Sequence, residues 1–249
     1  MTDYMLIAGC SHSAGSEIDG NASSKYNREH SFGNLLAYKL GLQPINIAMN
    51  GSCNSTIARG VIEWFSEHKE KVKNNNVFVM INWTEPSRLE APAEWETDYS
   101  TATMGADWAS SSCKNYLQIN IGHEGFDSRE KEIQKVYKNF MVTGGPYFEV
   151  NSAQHILQMQ YFCESRNVRW LMTNTAYMLT KQFDKWTRFY YREVDKQHYY
   201  KLKEDHESFY EKYRQLGYVN TKAKWGHHAE IPHALHAEDL YNFVKSNNI

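Results

Sequence analysis

The chain lacks an excess of either charge, a paired-cysteine spacing and any long apolar run, and each absence removes a class of function. Lys and Arg total 27 against 29 Asp and Glu, a net charge of -2. A dedicated nucleic-acid or anionic-membrane binder would carry a basic excess, so neither partner is expected. The four cysteines stand at 10, 53, 113 and 163 with no CxxC pair. That spacing is neither a disulfide framework nor a zinc ribbon, and it suits reduced thiols in a cytoplasmic protein. No apolar run approaches the roughly 20 residues of a membrane helix. The start, Met1-Thr-Asp-Tyr-Met-Leu-Ile-Ala8, has no basic n-region and no long h-region, so no signal peptide is visible. The expected location is the cytoplasm, that of a host if the protein is viral. There is no internal repeat and no Pro/Gly-rich linker, which favours one domain over residues 1–249.

What the chain does have is a set of short apolar runs alternating with helical spacing. Tyr4–Ala8 reads as a buried strand stopped by Gly9-Cys-Ser-His-Ser-Ala-Gly15. Residues 31–40 space Phe32, Leu35, Leu36 and Leu40 as a helix, with Gly41 as its stop. Ile45–Ala48 reads as a second strand, running into Asn50-Gly51-Ser-Cys-Asn54. A helix capped by Ser55 carries Ile57, Val61, Trp64, Phe65, His68 and Val72 on one stripe. Val77–Ile81 is the strongest strand. Uninterrupted apolar strands alternating with helices imply an α/β fold around a parallel sheet. Residues 86–127 lack periodicity and read as an irregular insertion. Helices are expected near 129–141 and 152–165, a strand at 168–173 and a terminal helix over 233–244.

Aromatics are plentiful, at 14% with 17 Tyr, and eight of those tyrosines lie between 177 and 218. Residues 181–214 are also densely charged, so about 181–218 reads as a solvated helical insertion that shapes a cleft or a partner surface.

In parallel α/β sheets ligands bind at the carboxyl ends of the strands. Polar turns follow the first three strands, at 9–15, 50–54 and 82–88, and a histidine-rich segment, 226–236, precedes the last helix. A serine, small backbone donors and a histidine in one cleft are what acyl transfer requires.

Gly9-Cys-Ser-His-Ser-Ala-Gly15 resembles the first block of the GDSL/SGNH hydrolase superfamily, Gly-Asp-Ser-Leu-Thr-x-Gly after the first strand. The resemblance implies a three-layer α/β/α sandwich with a short parallel sheet (SGNH/flavodoxin-like) and insertions. By it, Ser11 is the nucleophile. Gly51 matches the second-block glycine whose N–H, with that of Ser11, binds the oxyanion. Glu230-Ile-Pro-His233 matches the fifth-block Asp-x-x-His, making His233 the general base and Glu230 its orienting acid. Cys10 stands where the family has Asp, as in a Gly-Cys-Ser branch frequent among phage and bacterial proteins. The third block should read Gly-x-Asn-Asp; here it is Asn82-Trp83-Thr84-Glu85. Thr84 offers only a hydroxyl at the Asn position, while Asn82 or Asn54 offers an amide. The implied activity is that of a serine esterase, deacylase or acyltransferase on small O-acyl esters, O-acetylated carbohydrate among them, with no cofactor.

Other readings of the same residues stay open. Ser11 also suits a turn or helix cap, Ser13 competes as nucleophile, and His236 is a reserve base. Arg88 sits where it could bind an anionic substrate group, or simply pair with Glu85 or Glu90. His227, His228, His233 and His236 invite a metal, yet the His-Glu-x-x-His pattern is lacking. The departures in the third and fifth blocks also suit a non-catalytic binding or structural protein that keeps the fold.

Overall fold

A computed structural model describes residues 3–72, 76–92, 116–120, 131–136, 139, 147–175, 187–202 and 208–249. Strand β1 (Tyr4–Ala8) leads into the short helices α1 (Ser11–Ala14) and α2 (Lys25–Glu29) and then α3 (Phe32–Lys39). Strand β2 (Gln43–Asn46) is followed by α4 (Asn54–Glu67) and α5 (Lys69–Val72). β3 spans Val77–Trp83; β4 (Arg88–Pro92) and β5 (Tyr116–Asn120) form a separate antiparallel pair. α6 (Tyr147–Ser165), β6 (Arg169–Asn174), α7 (Arg188–Glu193), α8 (Phe209–Gln215) and α9 (Glu230–Asn247) complete the order.

The four main strands are all parallel, in the order β2-β1-β3-β6. The fold is therefore α/β with a small parallel sheet, as the apolar runs imply. β3 is buried at every position because both of its faces are covered. On one face Leu6, Val79, Ile81 and Met172 pack with Val61 and Trp64 of α4 and Ile156 and Met159 of α6. On the other, Ile7, Phe78, Met80 and Leu171 pack with Phe32 and Leu36 of α3, Phe209 of α8 and Leu240 and Val244 of α9. Because β2 and β3 flank β1 on opposite sides, the connections leaving β1 and β2 diverge, which opens a crevice at the carboxyl end of β1.

Three expectations change in detail. α4 begins at Asn54 with Cys53 at its N-cap, not at Ser55. The expected irregular stretch 86–127 contains the β4–β5 pair, while 93–115 and 121–127 lie outside the described residues. The charged, tyrosine-rich segment is partly solvated where it is described, but it also contributes large side chains to the core. Tyr199, Tyr200, Phe209 and Tyr213 are buried in the two apolar clusters. Met172 donates its N–H to His198 O and accepts that of Tyr200, both at 2.8 Å, so residues 198–200 cover the open edge of β6. Arg188, Arg192 and Glu193 are exposed, as is Phe189 at 66%, while the buried rings belong to the apolar clusters on the sheet. Residues 181–186 and 203–207 lie outside the described residues. Cys10, Cys53 and Cys163 are unpaired. No helix among the described residues is long and apolar enough to cross a membrane.

Candidate active site

The turn after β1 holds Ser11 as the first residue of α1, with extended Cys10 before it. A first helical residue has no intrahelical acceptor for its N–H. α1 is anchored from three sides. Asn46 at the end of β2 donates to Ser13 O at 2.9 Å. Asn82 on β3 donates its amide to Ser13 Oγ at 2.7 Å and also to Thr175 Oγ1. Cys10 Sγ lies 3.3 Å from the same threonine hydroxyl. Cys10 is thus a buried packing group beneath the turn.

Ser11 meets a histidine, though not the expected one. Its hydroxyl lies 2.7 Å from His227 Nε2, and His227 Nδ1 lies 2.6 Å from Glu17 Oε2. Glu17 sits in the left-handed region at φ 62°, six residues beyond Ser11, with only 1% of its surface exposed. Its Oε1 accepts the backbone N–H of Lys224 at 2.6 Å, Trp225 N–H lies 3.1 Å from Oε2, and its own carbonyl accepts from Asn220 Nδ2 at 2.8 Å. One side chain therefore fastens the irregular loop 220–229 to the turn after α1 and orients the imidazole that the loop carries.

The charge states follow from the same contacts. Burial works to raise the Glu17 carboxyl, but the bonds from His227 and from the Trp225 and Lys224 amides outweigh it and hold the group below its ordinary value. An ionised carboxylate only accepts, so His227 Nδ1 carries the proton and the free lone pair is on Nε2, facing the Ser11 hydroxyl. Burial also lowers the His227 pKa despite the pull of Glu17, so the imidazole is neutral near pH 7.

His233 does not take this place. α9 begins at Glu230, so His233 lies within the first helical turn and points into the core. Its Nδ1 accepts the Phe32 N–H at 3.2 Å, its ring stacks on Phe32, and its Nε2 has no partner among the described residues. His236 is equally buried, between Phe32, Phe209, Tyr200 and Tyr213. Glu230 faces outward, accepting from Tyr26 Oη at 2.7 Å with His30 at 3.9 Å. The Asp-x-x-His register led to Glu230 and His233 because an acid stands three residues before that histidine; before His227 the same position holds Lys224. Pro232 was the available signal: proline favours a first helical turn, which puts His233 inside the helix and the reachable histidine ahead of it. No motif marks Glu17.

The expected oxyanion donors divide. Gly51 stands in an open turn at φ 77°, and neither its N–H nor that of Ser11 has an acceptor among the described residues. The side-chain candidates are engaged elsewhere. Asn82 holds α1, as above. Asn54 donates to Thr84 O and Ser152 Oγ, both at 3.0 Å, and accepts from Thr84 N at 2.9 Å. Thr84 Oγ1 lies 3.4 Å from Glu85 Oε2. Arg88 forms the expected ion pair with Glu85, at 2.5 Å.

His12, next to Ser11, packs its ring 4.6 Å from that of His227, and burial holds its pKa well below the ordinary value. Among the described residues no group of three or more His, Cys, Asp or Glu is placed to hold a metal ion. Compared with known proteins, the chain matches no family model and no curated protein.

Proposed function

We propose that this protein is a serine esterase, deacylase or acyltransferase of the SGNH type, with Ser11 as nucleophile, His227 as general base and Glu17 as the acid that orients it. The observation that carries this reading is the continuous hydrogen-bonded series Ser11–His227–Glu17, drawn from two distant parts of the chain. Ser11 Oγ attacks the ester carbonyl carbon while its proton passes to His227 Nε2. The tetrahedral oxyanion takes hydrogen bonds from the Ser11 and Gly51 N–H groups. The ester C–O bond then breaks, and His227 returns the proton to the departing alkoxide. Water, or an acceptor alcohol in a transferase, repeats the sequence on the acyl-enzyme through the same base. Small O-acyl esters, O-acetylated carbohydrate among them, are the substrates this reading carries, and none of the steps draws on a cofactor. The matching architecture is a three-layer α/β/α sandwich of flavodoxin-like order, supported by apolar clusters on both sheet faces and by the parallel order β2-β1-β3-β6.

A second reading, a binding protein that keeps the fold without turnover, draws on the engaged side chains of Asn82, Asn54 and Thr84. Loss of one oxyanion donor typically costs 10²–10³ in rate. A fluorophosphonate probe followed by mass spectrometry separates the two. Expected are labelling at Ser11, none in Ser11→Ala, a fall of at least about 10²-fold in His227→Ala, and retention in His233→Ala. Absence of both labelling and p-nitrophenyl acetate hydrolysis would overturn the esterase and leave the binding protein.

A further inference from the structure

The geometry points to Arg88 as the anchor for a negatively charged group on the substrate, so that the preferred esters are anionic, carrying a carboxylate or a group of like charge. The inference rests on the esterase reading for the reaction but on separate observations for the charge. Arg88 opens β4, just beyond the turn that leaves the carboxyl end of β3. Its side chain is 11% exposed, so a guanidinium with five donors is largely withdrawn from water. Among the described residues none of those donors makes an aligned hydrogen bond. Nε is buried against Glu85 Oε2 at 2.5 Å, an ion pair off the hydrogen-bond axis, and the two terminal amino groups bond no other described residue.

A largely buried guanidinium is costly unless its charge and donors are matched, and here the match is a single, partly exposed carboxylate. Arg59 shows what a purely structural arginine looks like in this chain: it bonds Glu63 and Glu90 through Nε, Nη1 and Nη2. Among the described residues Arg88 instead makes no hydrogen bond through its two terminal amino groups, which form the planar fork that pairs with carboxylate or phosphate. Ala8 and Ile81 are paired at the carboxyl ends of β1 and β3, so the turn that leads to Arg88 leaves the sheet beside the turn that presents Ser11. Glu85, 41% exposed, partly neutralises Arg88 until an anionic substrate competes for it.

The test compares kcat/KM for uncharged p-nitrophenyl acetate with that for two anionic esters: mono-p-nitrophenyl succinate, charged on the acyl side, and 4-acetoxybenzoate, charged on the alcohol side. Arg88→Met is expected to lower the anionic-to-neutral ratio at least about tenfold for one of them. Glu85→Gln is expected to raise the same ratio. Arg88→Lys, which keeps the charge and loses the fork, serves if the methionine variant does not fold, and should give a smaller fall. Ratios within twofold of wild type in these variants, or moving the same way in the Arg88 and Glu85 variants, overturn the inference. If p-nitrophenyl acetate is not turned over at all, the esterase reading fails separately. The charge is then read by calorimetry of monomethyl succinate on Ser11→Ala and on Ser11→Ala/Arg88→Met. Binding lost in the double variant supports the anchor; equal or absent binding to both overturns it.

Discussion

The hydroxyl of Ser16 donates to Oδ1 of Asn50, and Asn50 Nδ2 donates in turn to Ala22 O at 3.1 Å. These bonds tie the turn that presents Gly51 to the segment that leaves Ser11. Ser16 N–H also bonds Ser11 O at 2.9 Å, so one serine holds both residues proposed to bind the oxyanion. Ser16→Ala should therefore lower kcat by about tenfold with little change in KM, because the misplaced N–H matters most when the oxyanion forms. Steady-state kinetics on p-nitrophenyl acetate checks this; a change confined to KM would contradict it.

Glu17→Gln leaves only one carbonyl oxygen where two carboxylate oxygens serve His227 and the loop amides. A fall of roughly 10²–10⁴ in kcat is expected, as for loss of an orienting acid in a serine triad. The carboxylate raises the His227 pKa, so its removal should also shift the acid limb of the rate profile to lower pH. A merely structural defect would lower the rate without moving the limb.

Gly9 allows no side chain. A Cβ there would stand 2.2 Å from Ser13 Oγ and 3.1 Å from Asn82 O. Gly9→Ala should destabilise the protein by about 1–3 kcal/mol and slow fluorophosphonate labelling, since Ser13 must leave its bond to Asn82. Urea titration and the labelling rate read the two effects.

The buried histidines predict acid sensitivity. Burial is the largest cause that lowers His236 from 6.5 to about 3, and it lowers His12 and His233 in the same direction. The unfolded chain binds these protons as pH falls through 6.5 while the folded one does not. Stability is therefore fully present above pH 6.5 and declines below it, until the folded pKa is passed. Between pH 6.5 and 5, His236 alone should remove about 2 kcal/mol. Denaturant midpoints across that range measure the slope, and His236→Phe should reduce it; a midpoint that does not change would contradict the prediction.

Much of the frame was legible in the residues. Val77–Ile81 and Tyr4–Ala8 are strands because their uninterrupted apolarity requires cover on both faces. The helix after Gly51 announces itself through its stripe of Ile57, Val61 and Trp64. Turn chemistry after a strand marked the segments 9–15 and 50–54, and the resemblance of their residues to the GDSL/SGNH blocks singled out Ser11 and Gly51 within them. In the charged stretch 181–214 the buried share of Tyr199, Tyr200, Phe209 and Tyr213 was not legible, because composition counts charges without telling which side chains turn inward.

The sequence by itself determined which turns would stand at the carboxyl ends of the strands, since hydrophobic periodicity and turn chemistry act over a few neighbouring residues. Only the tertiary structure decided which histidine and which carboxylate reach Ser11. Four histidines lie between 227 and 236, and local patterning does not distinguish them. The choice falls to His227 because α9 begins at Glu230 and draws His233 and His236 into the aromatic core, while the loop ahead of the helix is held across the crevice. Glu17 holds it there, through bonds spanning some 200 residues of chain that exist only once the two segments have folded together.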